Sequence, residues 1–345
     1  MRLLNKAAIA LTALVTAVPI LSACGNGNDE NVLRLGYFAN VTHAPALVAI
    51  ELGLIEETLG DDVTVEPVLF NAGPTVIEAL FSGAIDAAYV GPNPAINGWA
   101  QSGGEALHVI SGSTSGGAAL VTRDGIDAPA DLAGTAIASP QLANTQDVAL
   151  RYWLAEQGFD TDYYGGGDVA VTPTPNSELA AAYATGAVDG AWAVEPHLSE
   201  LIIEHDANVL LDERELWEEG EFVTTHIIAA SDFLAQRPEQ VEALLQAHLQ
   251  ALDLIEDEPD QARAAANDHI ESLTGNRLGE DIIAAAFDNL TFTADPIAAS
   301  LYGSAEHATA VGLLDEVDLG GIYRLEHLNA VLSDHGREPI SGDRV

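Results

Sequence analysis

Four polar, turn-forming clusters stand where an apolar run ends and an amphipathic one begins: Asn40-Val41-Thr42-His43, Asn71-Ala72-Gly73-Pro74, Gly91-Pro92-Asn93-Pro94 and Ala143-Asn144-Thr145-Gln146. At a helix start the first backbone N–H groups have no intrahelical partner, and the helix dipole adds about half a positive charge. Several such starts converging on one point would hold an anion without lysine or arginine. Each cluster alone also reads as an ordinary N-cap, worth roughly 1 kcal/mol to its own helix. The chemistry they offer is binding. Nucleophile-elbow, phosphate-loop, dinucleotide-turn and H-E-x-x-H patterns are all missing, and the ten histidines are scattered without metal-ligand spacing. No cofactor is expected.

The elements that must place these clusters alternate in the manner of βαβ units around a largely parallel sheet. Strands are predicted at 32–37, 63–70 and 85–90, with helices at 44–53 and 74–82. Further strands at 107–111 and 118–122 flank residues 112–117, which read as a flexible polar stretch crossing between lobes. The alternation restarts with strands at 135–138, 169–172 and 190–194 and helices at 145–157, 177–185 and from Pro196. Residues 222–230 form another apolar run, and from Ser231 the pattern becomes mostly helical, with Pro238 opening one helix. The fold class is α/β: two lobes and a helical C-terminal tail. In such sheets ligands bind beyond the carboxyl ends of strands, so a cleft between the lobes is the expected site.

The chain has 345 residues, 12 basic and 53 acidic side chains, a net charge of -41 and 48% hydrophobic residues. It is too apolar for a disordered acidic chain, and it lacks the clustered basic residues that bind nucleic acid. Residues 1–23 read as an export signal, with Arg2 and Lys6 ahead of an uncharged stretch from Ala7 to Ile20. That stretch is short of the roughly 20 residues a spanning helix needs. Leu21-Ser22-Ala23-Cys24 resembles the bacterial lipobox, which implies a lipid on Cys24 and a membrane anchor outside the cytoplasm; an ordinary signal peptide is the alternative. Residues 24–31 suit a flexible tether. Cys24 is the single cysteine, so no disulfide can close within the chain.

Five segments carry a family resemblance: LGYFANVTHAPAL (35–47), GAIDAAYVGPNP (83–94), NTQDVALR (144–151), DGAWAVEP (189–196) and FVTTH (222–226). Their order and spacing are similar to those of the sulfonate/nitrate/taurine solute-binding proteins, nearest the aliphatic sulfonate branch. The resemblance implies a two-lobed periplasmic-binding-protein type II fold. It divides the chain into 32–117 (first part of lobe 1), 118–222 (lobe 2) and 223–345 (return to lobe 1 and helical tail). It also implies a monomer that captures a small anion by lobe closure and delivers it to an ABC permease with its ATP-binding subunit.

Carried over motif by motif, the implied first-lobe contacts are Thr42, His43, Gly73 and Asn93, and those of the second lobe are Asn144, Thr145, Gln146, Trp192 and Glu195. Ser113, Ser115, Thr224 and Thr225 lie near the implied crossings. A sulfonate head would sit among hydroxyl and amide donors, with its tail against Trp192 or Tyr89. Trp192 equally suits a lobe core, Glu195 a hinge hydrogen bond or a ligand ammonium, and Arg151 a structural ion pair or a ligand clamp. Asn71, Ala193 and His197 depart from the family pattern and leave ligand size open. Nitrate, taurine and a thiamine-pyrimidine precursor remain alternative ligands. A pyrimidine-precursor synthase would need cysteines this chain lacks, and a sensor or adhesion role is a further alternative.

Overall fold

The computed structural model describes residues 30–343. The expected export signal, Cys24 and most of the expected tether lie outside the described residues. In the first stretch β1 (Val32–Phe38) leads through a single 3-10 turn, Val41–His43, into α1 (Ala44–Glu51) and α2 (Leu54–Leu59). Next come β2 (Thr64–Phe70), α3 (Gly73–Phe81), β3 (Ala87–Val90), α4 (Pro92–Gln101) and β4 (Leu107–Gly116). A second unit follows: β5 (Ala118–Thr122), β6 (Ala136–Ser139), α5 (Thr145–Glu156), β7 (Ala170–Pro173), α6 (Asn176–Ala184), β8 (Gly190–Val194), α7 (His197–His205) and β9 (Asn208–Asp212). The chain then returns through β10 (Val223–Ala230), α8 (Ser231–Gln236), α9 (Pro238–Asp257), α10 (Pro259–Thr274) and α11 (Glu280–Asp288). It closes with β11 (Leu290–Phe292), α12 (Ala298–Ala310) and α13 (Glu326–Asp334).

Two sheets result, in strand orders β11-β4-β10-β3-β1-β2 and β7-β6-β8-β5-β9. Parallel pairs join β1 to β2 and β3, and β6 to β7 and β8. Both sheets are more mixed than the largely parallel pattern expected. The returning β10 lies antiparallel between β3 and β4, and β5 lies antiparallel between β8 and β9. Alternate residues of each strand feed opposite faces. Leu35, Ala87, Tyr89 and Ile227 pack toward α1, α9 and α10, while Ala88, Val90 and Ile228 pack toward α3, α4 and α12. In the second sheet Ala119, Val121 and Ala193 face α6 and α7, and Leu120, Ile137 and Trp192 face α5.

One expectation fails outright. Residues 112–116 are not a flexible crossing but the second half of β4, buried along its whole length between β10 and β11. Their Ser, Thr and Gly content disguised a central strand. Gly112 is required there, because a Cβ would come within 2.0 Å of the Asp295 carbonyl oxygen. The crossing itself is shorter and falls at Gly116 and Gly117, whose φ values of 77° and 68° reverse the chain into β5. The short strands β9 and β11 were not anticipated.

A buried ion pair ties the return segment to the first strands. Asp86 is 1% exposed; it accepts the backbone N–H of Arg34 at 2.8 Å and pairs with the guanidinium of Arg237 at the entrance to α9. Arg237 also donates to the Val32 carbonyl at 2.8 Å. Replacing Arg237 by Ala leaves the buried carboxylate with only the more distant Arg34 guanidinium, 4.0 Å away, as counter-charge, so urea unfolding of Arg237→Ala should show a loss of about 3 kcal/mol.

Candidate functional site

Between the two sheets lies a cavity of about 40 Å³. Its walls come from the carboxyl ends of the parallel strands of both sheets, the location a doubly wound topology favours, together with the amino ends of the antiparallel β5 and β10. Phe38 ends β1 and Asn40, Thr42 and His43 follow it, Asn71 follows β2 and Gly91 follows β3. From the other sheet come Asn144, Thr145 and Gln146 after β6, Asn176 after β7, and Ala118 and Val194 on β5 and β8. Glu213 and Phe222, on the segment returning to β10, and Thr224 and Thr225, on that strand, complete it.

Thr145 is the first residue of α5, with Asn144 as its extended N-cap, and the Asn144 side chain makes no capping bond. The Thr145 hydroxyl is fully buried and has no hydrogen-bond partner, a condition that costs about 1–3 kcal/mol unless something accepts from it. Two glycines of lobe 1 let this helix start approach. A Cβ on Gly91 would sit 2.5 Å from the Thr145 hydroxyl, and one on Gly73 would sit 3.0 Å from Asn144 Oδ1. The starts of α3, α4 and α5 therefore meet across the cleft, as four turn clusters on successive strand ends suggested.

His43 is a neutral donor at this wall. Burial pushes its imidazole down to about 3, and its Nδ1 accepts the Phe38 backbone N–H at 3.3 Å, which places the ring proton on Nε2. Its ring stacks on Phe38 at 4.6 Å. Thr42 is held in place through its carbonyl, which accepts from the Thr114 hydroxyl at 2.7 Å. The Thr224 hydroxyl donates to the Gly116 carbonyl, fixing β10 beside the crossing.

Thr42, His43, Asn144, Thr145, Gln146, Thr224 and Thr225 are thus brought together; the other sequence-derived candidates are not at the cavity wall. Asn93 is buried and donates to the Ser304 carbonyl at 3.2 Å. Gly73 contributes close approach rather than a wall. Ser113 lies inside β4 beside Thr114, and Ser115 lines a separate depression near Arg214. Trp192 is 1% exposed in the lobe 2 core, packed on Trp153, because strand alternation turns it away from the cleft. Glu195 accepts from the Ser199 hydroxyl at 2.9 Å and from Asn289 Nδ2 at 2.7 Å, the hinge-type bond weighed as one of its two readings. Arg151 is a structural ion pair with Asp147 at 3.0 Å. Tyr89 is buried and bonded to His248 at 3.0 Å, away from any ligand tail. Asn40 and Gly91, from the same turn clusters, also line the cavity, as does Asn71, whose departure from the family pattern bore on ligand size, and Asn176 starts α6 after β7 by the same strand-end rule.

Glu213 carried no signal in an acidic sequence, yet it lines the cavity. It is 4% exposed, and its two carboxyl oxygens accept the indole N–H groups of Trp192 at 2.7 Å and Trp217 at 3.3 Å. Trp217 in turn stacks on Phe222 at 5.9 Å. Burial pushes the Glu213 carboxyl up to about 7, and the indole bonds only partly oppose that.

Comparison with known proteins gives this geometry its setting. Residues 26–268 match the profile of the NMT1-like family. The chain belongs to that family. A Brucella abortus (strain 2308) protein, provisionally named a binding protein, is 26% identical over 248 residues, 71% of this chain and 72% of that one. In fold the chain is similar to the alkanesulfonate-binding protein SsuA of Xanthomonas axonopodis pv. citri, solved with MOPS, at a TM-score of 0.70 and 22% identity over 86% of this chain and 98% of that one. It is also similar in fold to the periplasmic nitrate-binding protein NrtA of Synechocystis PCC 6803, at a TM-score of 0.74 and 16% identity over 88% of this chain and 89% of that one. The fold is the two-lobed periplasmic-binding-protein type II fold.

For such a protein a titrating carboxyl at the cleft has a measurable signature. The folded chain holds the Glu213 proton more tightly than the unfolded chain, so its neutral form adds stability below the ordinary carboxylate range. That contribution is lost as pH rises through about 7. The wild-type melting temperature should therefore fall more steeply than that of Glu213→Gln between about pH 5 and pH 8. Identical slopes in differential scanning calorimetry would mean that Glu213 does not titrate in this range.

Proposed function

We propose that this chain is an extracytoplasmic, lipid-anchored, monomeric binding protein that captures a small organic anion, an aliphatic sulfonate, and delivers it to an ABC permease. The observation that carries this reading is the buried, unpartnered Thr145 hydroxyl at the uncapped start of α5, facing a cavity built from strand ends of both lobes. A sulfonate head accepts several hydrogen bonds, and hydroxyl, amide, imidazole and helix-start N–H groups are the donors gathered around it. Its weakly basic oxygens match neutral donors.

Capture follows from linkage between ligand and lobe closure. A ligand that touches donors of both lobes binds the closed arrangement more tightly than the open one, and it shifts the population by that difference alone. The permease then reads the closed shape. Nitrate is the second reading, favoured by the cavity's small volume of about 40 Å³.

The head-group assignment is tested on Thr145→Ala by isothermal titration calorimetry with ethanesulfonate, taurine, nitrate and sulfate. Loss of one donor to an anionic group should weaken the preferred ligand by roughly 1–2 kcal/mol, about five- to thirtyfold. A folded variant with wild-type affinity removes Thr145 from the site, and a wild-type protein that binds only nitrate replaces the sulfonate reading.

The anchor is tested separately by fractionating cells that express Cys24→Ala. The variant should leave the membrane fraction. A variant that stays with membranes after a high-salt wash argues against lipid attachment at Cys24.

A further inference from the structure

Among the described residues Glu213 is the one acidic side chain on the cavity wall. Its two oxygens are already taken by donors: Oε2 accepts the Trp192 indole N–H at 2.7 Å and Oε1 the Trp217 indole N–H at 3.3 Å. An indole nitrogen donates only, so neither partner can accept a hydrogen bond in return. When the carboxyl is neutral, its own O–H therefore has no acceptor among these partners. The buried Thr145 hydroxyl, lining the same cavity, is in the same position. We propose that Glu213 binds the captured anion as a neutral acid, donating its O–H to the ligand, so that capture takes up one proton from solvent. This rests on the anion reading above and adds the regulation of that site.

Two effects act in the same direction. Ionisation removes a donor from the wall, and it sets a poorly screened negative charge beside the bound anion. A monoanion that enters with a proton adds no net charge to a chain already at -41. Burial pushes the Glu213 carboxyl up to about 7, so the two forms exchange near neutral pH.

The surroundings leave this role to Glu213. The flanking strands β5 and β8 carry no titratable side chain. On its own segment Asp212, which adds to the upward push, pairs with Arg214 at 3.4 Å, and Glu215, Glu218 and Glu219 are exposed to water. From α5 come Asp147 and Arg151, paired at 3.0 Å, and Tyr152, stacked on His307. His307 also packs against Trp217, and burial holds its imidazole below the ordinary range. Glu195, after β8, is bonded to Ser199 and Asn289. Of the two titratable groups on the cavity wall, His43 is pushed down to about 3, and Glu213 alone changes charge near neutral pH.

The test is isothermal titration calorimetry with ethanesulfonate and nitrate, strong-acid anions that do not themselves titrate near neutral pH. Tris and triethanolamine differ in ionisation enthalpy and present no competing anion, so the pair reports protons exchanged on binding. Wild-type affinity should be level near about pH 6 and fall about tenfold per pH unit above about 7, with uptake rising toward one proton. Glu213→Gln should show a flat profile and no uptake. Trp217→Phe removes a bond that favours the ionised form, so it should move the midpoint upward, a shift that a purely structural Glu213 would not produce. Wild-type uptake and that shift decide the matter even where the amide unsettles the fold. Flat affinity without uptake in the wild type overturns the proton link and leaves the anion site standing. Uptake that persists in Glu213→Gln, or an unmoved midpoint in Trp217→Phe, assigns the proton elsewhere and also overturns it. Binding of neither anion at any pH overturns this inference and the anion reading together.

Discussion

Holding an anion inside a chain of net charge -41 is a problem of local field rather than of total charge. Every arginine from Arg34 to Arg337 is paired with a carboxylate, and none of them lines the cavity. What remains is the positive end of helices and the hydroxyl and amide groups beside them. These act only over the first turn, so they must be brought to within hydrogen-bond reach of one point. The strand-end placement, the two glycines and the buried Thr145 hydroxyl all follow from that requirement. Gly73 and Gly91 are permissive in the strict sense: a methyl group at either would collide with the groups that face it.

Convergence depends on how the lobes meet, and the seam between them is modest. Asn289, just before β11, donates to Glu195 at the start of α7 and accepts from Arg214 on the segment after β9. Tyr152 of α5 stacks on His307 of α12 with ring centroids 3.7 Å apart. Contacts of this kind position one lobe against the other without burying a core between them. A seam that favoured closure strongly would close the protein without ligand, and one that opposed it strongly would take the difference from binding affinity. A few polar bonds and the rings of Tyr152 and Trp217 against His307 leave ligand contacts able to decide the balance.

The α/β class, two units, most strand and helix positions and the helix-start logic were legible because they depend on local signals: alternation of apolar runs, proline at helix starts and glycine beyond helix ends. Those signals place Thr42, His43, Asn144, Thr145 and Gln146 correctly at strand ends. What escaped depends on tertiary pairing. Residues 112–116 look like a loop because their side chains are small and polar, yet β10 and β11 supply partners on both sides and make them a strand. Trp192 sits in a motif that resembles a ligand-binding segment, but strand alternation turns its ring into the lobe 2 core. Glu213 is one acid among 53, and only the folded chain shows that two indoles and a cleft surround it.

That carboxyl stands at the wall of the proposed anion site. Its two oxygens accept from two indoles at once, one rooted in the lobe 2 core and the other stacked on Phe222 and set against His307 of α12. A glutamine would present one oxygen and one amide nitrogen, and the nitrogen would face an indole N–H with two donors and no acceptor. A neutral acid keeps an acceptor lone pair on both oxygens. Burial favours that neutral form, so near neutral pH the group that fixes the aromatic wall carries only part of the charge that would oppose an anion beside it. The burial that seats Glu213 between two indoles therefore also weakens its negative charge in the cleft.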